Sequence, residues 1–244
     1  MARIETHSEL DLESPVLVEG LPGVGLVGKI ATDHLVNTFE MEHYASCRCE
    51  GLPPVATYES GSHRIRPPVR IYADEDRDLL ALQSDVPVSP EAAPSFASCV
   101  TGWFDEHDVT PICLSGLPAE KDGVPEMYGI GTGDAGGLLA EHDIPAPDEN
   151  GLVSGPTGAI LAEAGTTGVD AAGLIVESNR QFPDPEAARI LLVDGIEHIA
   201  GISVGTEKLV DQAEEIAQAR ENLAKQMEQA NQESSQAQPL GMYQ

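Results

Sequence analysis

Positive charge is scarce in this chain. Across 244 residues, 13 Lys and Arg face 41 Asp and Glu, a formal net charge of −28. A surface of that sign repels phosphate backbones, so DNA and RNA are disfavoured as partners. Lysine is the rarer cation, confined to Lys29, Lys121, Lys208 and Lys225, while the acids are scattered along the whole length rather than blocked. That pattern resembles the proteomes of salt-accumulating halophiles. In molar salt the Debye length shrinks to about 3 Å, which screens the self-repulsion and leaves the carboxylates to keep the surface hydrated. On this reading the charge reports habitat, not chemistry.

Cysteine is sparse as well. Cys47, Cys49, Cys99 and Cys113 are too few and too irregular for a disulfide framework and read as structural cysteines. Cys47-x-Cys49 in a strand would send both thiols to one face, yet no second Cys or His pair at zinc-like spacing follows. Long apolar runs are also missing. No segment approaches membrane-spanning length, and the opening Met1 to His7 lacks the apolar stretch of a signal peptide, which predicts a cytoplasmic protein. Catalytic groupings are missing too. His7, His34, His43, His63, His107, His142 and His198 stand singly, with no His-x-x-x-His pair and no recognisable Ser or Cys partner. The expectation is a protein that is not an enzyme and uses neither metal nor cofactor.

What is present argues for folding. Apolar residues make up 41% of the chain, in stretches such as Pro15 to Leu21 and Ala188 to Val193. Strands and helices alternate in the manner of an α/β fold. Strands are predicted at Val16 to Glu19, Glu42 to Arg48, Val69 to Ala73, Leu79 to Ser84, Thr110 to Leu114 and Ala171 to Glu177. Helices are predicted at Leu26 to Asn37, at Pro90 to Glu106 with Ser89 as cap, after Gly158 to about Ala164, and at Asp184 to Ile199. The Gly- and Asp-rich middle, Glu120 to Gly137, reads as a loop over one end of the sheet, with a short apolar piece at Met127 to Ile130.

Two glycine motifs stand out. Gly23-Val-Gly25-Leu-Val-Gly28 follows a strand, opens a helix and has Glu50 about 22 residues on, which satisfies the written dinucleotide fingerprint. Against it, Glu19-Gly-Leu-Pro22 intervenes between strand and glycines, and Glu19 brings negative charge toward a pyrophosphate. The structural reading has Gly20 and Gly23 permitting tight turns while Gly25 and Gly28 let the helix approach the sheet. A P-loop is excluded because no Ser or Thr follows Lys29. The second motif, Ser154-Gly-Pro-Thr-Gly158, is either a strand-to-helix turn with a capping hydroxyl or an anion site at a helix start. Arg64, Arg66, Arg70 and Arg77 concentrate positive charge in one short stretch. They could grip an acidic partner, or belong to an edge hairpin where they offset Asp74, Glu75 and Asp76.

Composition changes after Gly205. Thr206 can cap a helix whose apolar positions Leu209, Ala213, Ile216, Leu223, Met227 and Ala230 step by three and four, with Arg220 interrupting the seam. Residues 1–205 thus form an α/β domain, 206–232 an amphipathic helix suited to self-association, and 233–244 a flexible tail. The tail carries the apolar-aromatic Met242-Tyr243-Gln244 at its tip.

The segment Val18-Glu-Gly-Leu-Pro-Gly-Val-Gly-Leu-Val-Gly-Lys-Ile-Ala31 closely resembles the opening signature of the proteasome assembly chaperone family, specifically the archaeal relatives of the eukaryotic second chaperone. Ser154 to Gly158 looks like that family's second glycine motif. The resemblance implies a single three-layer α/β domain similar to nucleoside phosphorylases without their catalytic residues. It also implies a homo-oligomer that binds proteasome α subunits. Under it Gly20, Pro22, Gly23, Gly25 and Gly28 become structural, and Met242, Tyr243 and Gln244 match the hydrophobic-Tyr-any ending that docks between α subunits. The alternative left standing is a nucleoside- or nucleotide-binding enzyme of the phosphorylase class.

Overall fold

A strand buried on both faces sends successive side chains to opposite layers, so it must be apolar at nearly every position. Leu17 and Val18 behave in this way, the first entering one core and the second the other. In the computed structural model, residues 3–218 are described apart from 59, 62, 120–122 and 217. In chain order the strands are β1 (Arg3–Thr6), β2 (Val16–Gly20), β3 (Glu42–Arg48), β4 (Thr57–Tyr58), β5 (Ile65–Arg66), β6 (Val69–Asp74), β7 (Leu79–Ser84), β8 (Thr110–Pro118), β9 (Met127–Gly131) and β10 (Ala172–Ser178). The helices are α1 (Val27–Thr38), α2 (Ala93–Glu106), α3 (Ala135–Glu141), α4 (Gly155–Thr167), α5 (Pro185–Ile190) and α6 (Glu197–Ala200), with a π-helical turn over Leu191–Ile196 joining the last two.

The central sheet has eight strands in the order β1-β3-β6-β7-β2-β8-β10-β9, and β4-β5 form a separate hairpin. Its middle, β7-β2-β8-β10, is parallel; β6, β3 and β1 extend one side antiparallel and β9 closes the other. Helices α2 and α4 cover one face, where Phe96, Phe104 and Ile160 pack on Leu17, Leu80 and Leu82. Helices α1 and α5 cover the other, where Ala31, Leu35, Ala188 and Leu191 meet Val18, Leu79, Ile112 and Leu174. Each such side chain contributes roughly 1.5–3 kcal/mol by leaving water. The chain runs from β2 to the β7 side of the sheet, then returns through α2 to β8 on β2's other side. The order therefore reverses between β2 and β8, and the crevice beyond their carboxyl ends is where open α/β sheets place ligands.

Three local expectations change. The second helix starts at Ala93 rather than Pro90, because Pro94 fills the first turn where no N–H is needed, while Ser89 anchors the preceding turn through its carbonyl to the Ala92 and Ala93 amides. Met127–Gly131 is no loop over the sheet end but the closing edge strand, and Ala135–Glu141 after it is helical. Gly-rich sequence hid both: Gly129 and Gly131 lie where a Cβ would meet Leu139, Ile144 and Ala135. The first strand, Arg3–Thr6, was not foreseen at all; it is half-exposed and held at the sheet's edge by β3.

The four cysteines, expected to be structural without a disulfide framework, include one bridged pair. Cys49, just beyond β3, forms a disulfide with Cys99 in α2, while Cys47 and Cys113 are free and buried. The partners lie 50 residues apart in sequence, so spacing could not announce the pairing. A cross-link closing a loop of that length restricts the unfolded chain. Reduction is expected to lower stability by about 2–4 kcal/mol, seen as a lower urea midpoint with reductant than without. An unchanged midpoint would remove the bridge from the account of stability. Burial pushes the Cys47 thiol up to about 12, which holds it as the neutral thiol.

Residues 207–216 are helical, and Leu209, which heads the C-terminal apolar repeat, is only 2% exposed within the α1-side core. His34 Nε2 in α1 lies 2.6 Å from the Gly205 carbonyl, pinning the entry to this helix. Leu223, Met227, Ala230 and the tail lie outside the described residues. No described helix is long and apolar enough to cross a membrane.

Candidate functional site

Glu19 is the penultimate residue of β2 and is fully buried. A carboxyl group without water must be satisfied by the protein. Its Oε1 accepts from the Leu21 amide and from the Thr157 hydroxyl, both at 3.1 Å, and its Oε2 accepts from the Leu114 amide at 3.3 Å. One side chain thus joins the end of β2, the middle of β8 and the first turn of α4. Burial raises its pKa from 4.5 to about 7, outweighing the three donors, which act the other way. The neighbouring Cys113 thiol is pushed up by burial and further by Glu19.

The glycines divide the backbone work. Gly25 (φ 62°) and Leu26 (φ 52°) make the left-handed turn into α1; Gly23 is extended, with open space where a Cβ would stand. Gly20 and Gly28 are the close-approach pair. A Cβ on Gly28 would lie 3.3 Å from the Gly20 Cα, and one on Gly20 would lie 2.5 Å from the Gly28 carbonyl oxygen. Helix α1 therefore sits almost directly on β2.

These two motifs, distant in sequence, wall one cavity of about 750 Å³ at the switch point between β2 and β8. Pro22, Gly23 and Gly28 line it from the first motif, Ser154 to Thr157 from the second, and Ser115 to Pro118 from the end of β8. Thr157, Leu21 and Leu114, the three groups that hold Glu19, are part of its wall, so the buried carboxyl lies directly behind the lining. Asp148, Glu149 and Glu177 bring carboxylates to it, and none of its described lining residues is Lys, Arg or His. Tyr128 also lines it; its hydroxyl donates to Glu126, and that bond pushes the phenol up to about 12.

Other sequence candidates fall elsewhere. Glu50 stands beyond the end of β3, separated from β2 by β6 and β7, so the acid that a dinucleotide ribose requires is not beside the glycine loop. Lys29 points to Asp33 at 2.7 Å and Asp85 at 3.6 Å. The arginine cluster is mostly internal bracing. Buried Arg70 pairs with Asp85 at 2.6 Å and bonds the Tyr72 hydroxyl, the Thr57 hydroxyl and the Pro67 carbonyl. Arg77 pairs with Asp74 at 2.6 Å and covers Phe39. Among the described residues, no group of three or more His, Cys, Asp or Glu is placed to hold a metal ion. Sequence reasoning named both glycine motifs and Glu19, but not their convergence, nor the acidic loop Asp148 to Asn150 on the cavity.

Comparison with known proteins adds a family. Residues 17–224 match the sequence model of the PAC2 family. An uncharacterised protein of Methanocaldococcus jannaschii is 27% identical over 227 residues, 90% of this chain and 89% of its own. Among solved structures, Pyrococcus furiosus PbaA, an archaeal homolog of proteasome-assembly chaperone, superposes with a TM-score of 0.79 at 25% identity, covering 95% of this chain and 96% of that one. Pyrococcus furiosus PbaB, an archaeal proteasome activator, has the same fold, with a TM-score of 0.79 at 22% identity over 91% of this chain and 98% of its own.

Proposed function

The chain belongs to the PAC2 family, and from that membership we propose that it is a non-catalytic chaperone or regulator that binds the α ring of the archaeal 20S proteasome. The observation that carries this reading is the likeness to PbaA over nearly the whole of both chains. The docking element is Met242-Tyr243-Gln244, outside the described residues. An apolar side chain and an aromatic ring with a hydroxyl enter a pocket between α subunits, and a carboxylate there can pair with a pocket lysine. One tail binds weakly. Copies joined through the 206–232 helix present several tails to one ring, and effective concentration then multiplies affinity by about 100-fold to 10,000-fold. A cytoplasmic, homo-oligomeric protein in a salt-rich cell fits this role, with no cofactor required.

The cavity at the switch point supports the rival reading, a nucleoside- or nucleotide-binding enzyme. Its lining counts against that rival, since phosphate would face Asp148, Glu149 and Glu177 with no Lys, Arg or His among the described lining residues to offset them. The deciding experiment captures α subunits at high salt with the full chain and with a chain lacking Met242 to Gln244. The shortened chain is expected to lose capture by about 100-fold or more while its circular dichroism and sedimentation stay unchanged. Undiminished capture would overturn the docking role of the tail.

A further inference from the structure

Exposed apolar side chains scattered singly over a surface carry no message, but a concentration of them at one place does. Of the large apolar side chains exposed among the described residues, all but Val210 stand on strand ends or connections on the side of the sheet where the parallel strands end. Leu26 follows β2 and Leu117 closes β8. Leu152 precedes α4, whose Thr157 is bonded to Glu19 at the end of β2. Val124 leads into β9, whose Met127 pairs with Val176 near the end of β10. Val55, Tyr58 and Ile65 belong to the segment entering β6, whose Val69 pairs with Ser84 at the end of β7. Tyr58 and Ile65 are cross-strand partners in the β4-β5 hairpin.

The cavity opens within this edge, and Leu117 and Leu152 are part of its lining. Apolar walls exclude a strongly hydrated ligand, and Asp148, Glu149 and Glu177, with no Lys, Arg or His among the described lining residues, disfavour an anion. A group combining an apolar body with one positive charge satisfies both conditions. A small molecule that only filled the cavity would leave Tyr58 (82% exposed), Ile65 (75%) and Val124 (71%), none of them in its lining, in water. Covering them takes a polypeptide surface. We propose that this edge is a protein-docking face, distinct from the tail, whose cleft receives an apolar segment of a partner protein bearing a lysine or arginine.

The test is fluorescence anisotropy with a short labelled peptide of Leu-Leu-Arg repeats, titrated with the full chain in about 1 M KCl. The Debye length there is about 3 Å, so the bulk attraction of an acidic protein for any cation is screened. Saturable binding is expected, weakened about tenfold or more by combined Leu117→Asp and Leu152→Asp and about threefold by Glu177→Gln. A Leu-Leu-Glu peptide is expected not to bind. Both leucines are solvent-exposed, and an unchanged thermal midpoint would confirm that the double variant is folded. The chain lacking Met242 to Gln244 should bind the peptide as the full chain does, which separates this face from the proposed tail.

Absence of saturable binding overturns the proposal, as does equal binding of a Ser-Ser-Arg peptide or indifference to the leucine substitutions. Displacement of the peptide by n-hexylamine at equal affinity would reassign the cavity to a small amphipathic amine. Loss of self-association in Leu152→Asp, with no peptide binding to the parent chain, would reassign the face to a second copy of the chain.

Discussion

Substituting alanine for Gly20 is expected to destabilise the fold by about 3 kcal/mol, the upper end of what overpacking a core costs. The added methyl would stand 2.0 Å from the Thr32 hydroxyl and 2.5 Å from the Gly28 carbonyl oxygen. The hydroxyl belongs to a side chain that can rotate, but only by giving up its 3.0 Å bond to that same carbonyl. The carbonyl is backbone, and moving it means lifting the first turn of α1 off β2. That turn carries Val27 and Ala31 into the core against Val18 and Ile112, so relief at Gly20 opens voids there. Two companions give the scale. Gly28→Ala meets its nearest atoms at 3.3 Å and should cost about 1 kcal/mol, whereas Gly23→Ala, with nothing within 4 Å, should cost less than about 0.5 kcal/mol. Urea denaturation of the three variants reads the order directly. Equal losses at Gly20 and Gly23 would contradict the close seating of α1.

The second large effect is a dependence on pH. Burial raises the folded pKa of Glu19 to about 7 from its ordinary 4.5, so between those limits the folded state binds the proton more tightly than the unfolded chain. Stability from this group is then fully present below the unfolded pKa and lost as pH rises through the folded one. Linkage gives a loss of about 2–3 kcal/mol between about pH 5 and pH 8. Many other carboxylates titrate at the acid end, so the contribution is isolated as a difference. Glu19→Gln cannot ionise, and its stability relative to the parent should rise by about 2–3 kcal/mol over that interval, whatever its offset at a single pH. A flat difference would mean that the three donors keep Glu19 ionised throughout. Leu21, Leu114 and Thr157, which hold this group, also line the cavity.

The middle of the fold was legible in the residues because burial on both faces leaves little latitude. Val16–Gly20, Leu79–Ser84 and Ala172–Ser178 are nearly continuous apolar strands, and the Gly-rich entry into α1 marks the close packing of helix on strand. Edge elements were less legible. The strand Arg3–Thr6 is half-exposed, and Met127–Gly131 carries two glycines whose missing side chains make room for α3 and Ile144. Neither shows the apolar alternation by which a strand is recognised. The arginine cluster was read as one feature because its members are neighbours in sequence. In space Arg70 is buried bracing for Asp85, whereas Arg77 serves Asp74 and Phe39.

By itself the sequence determined the α/β class, the surface of one charge sign and the signature by which the family is known, since each of these depends on residue type and local spacing. Tertiary structure alone decided that Glu19 is buried among three donors, that Cys49 meets Cys99, and that two glycine motifs wall one acidic, apolar cavity. Apart from the Leu21 bond these are contacts between residues many positions apart, and the convergence of the two motifs follows from the reversal of strand order at β2 and β8. Local periodicity records which face of an element is buried; it holds no record of what is packed against it.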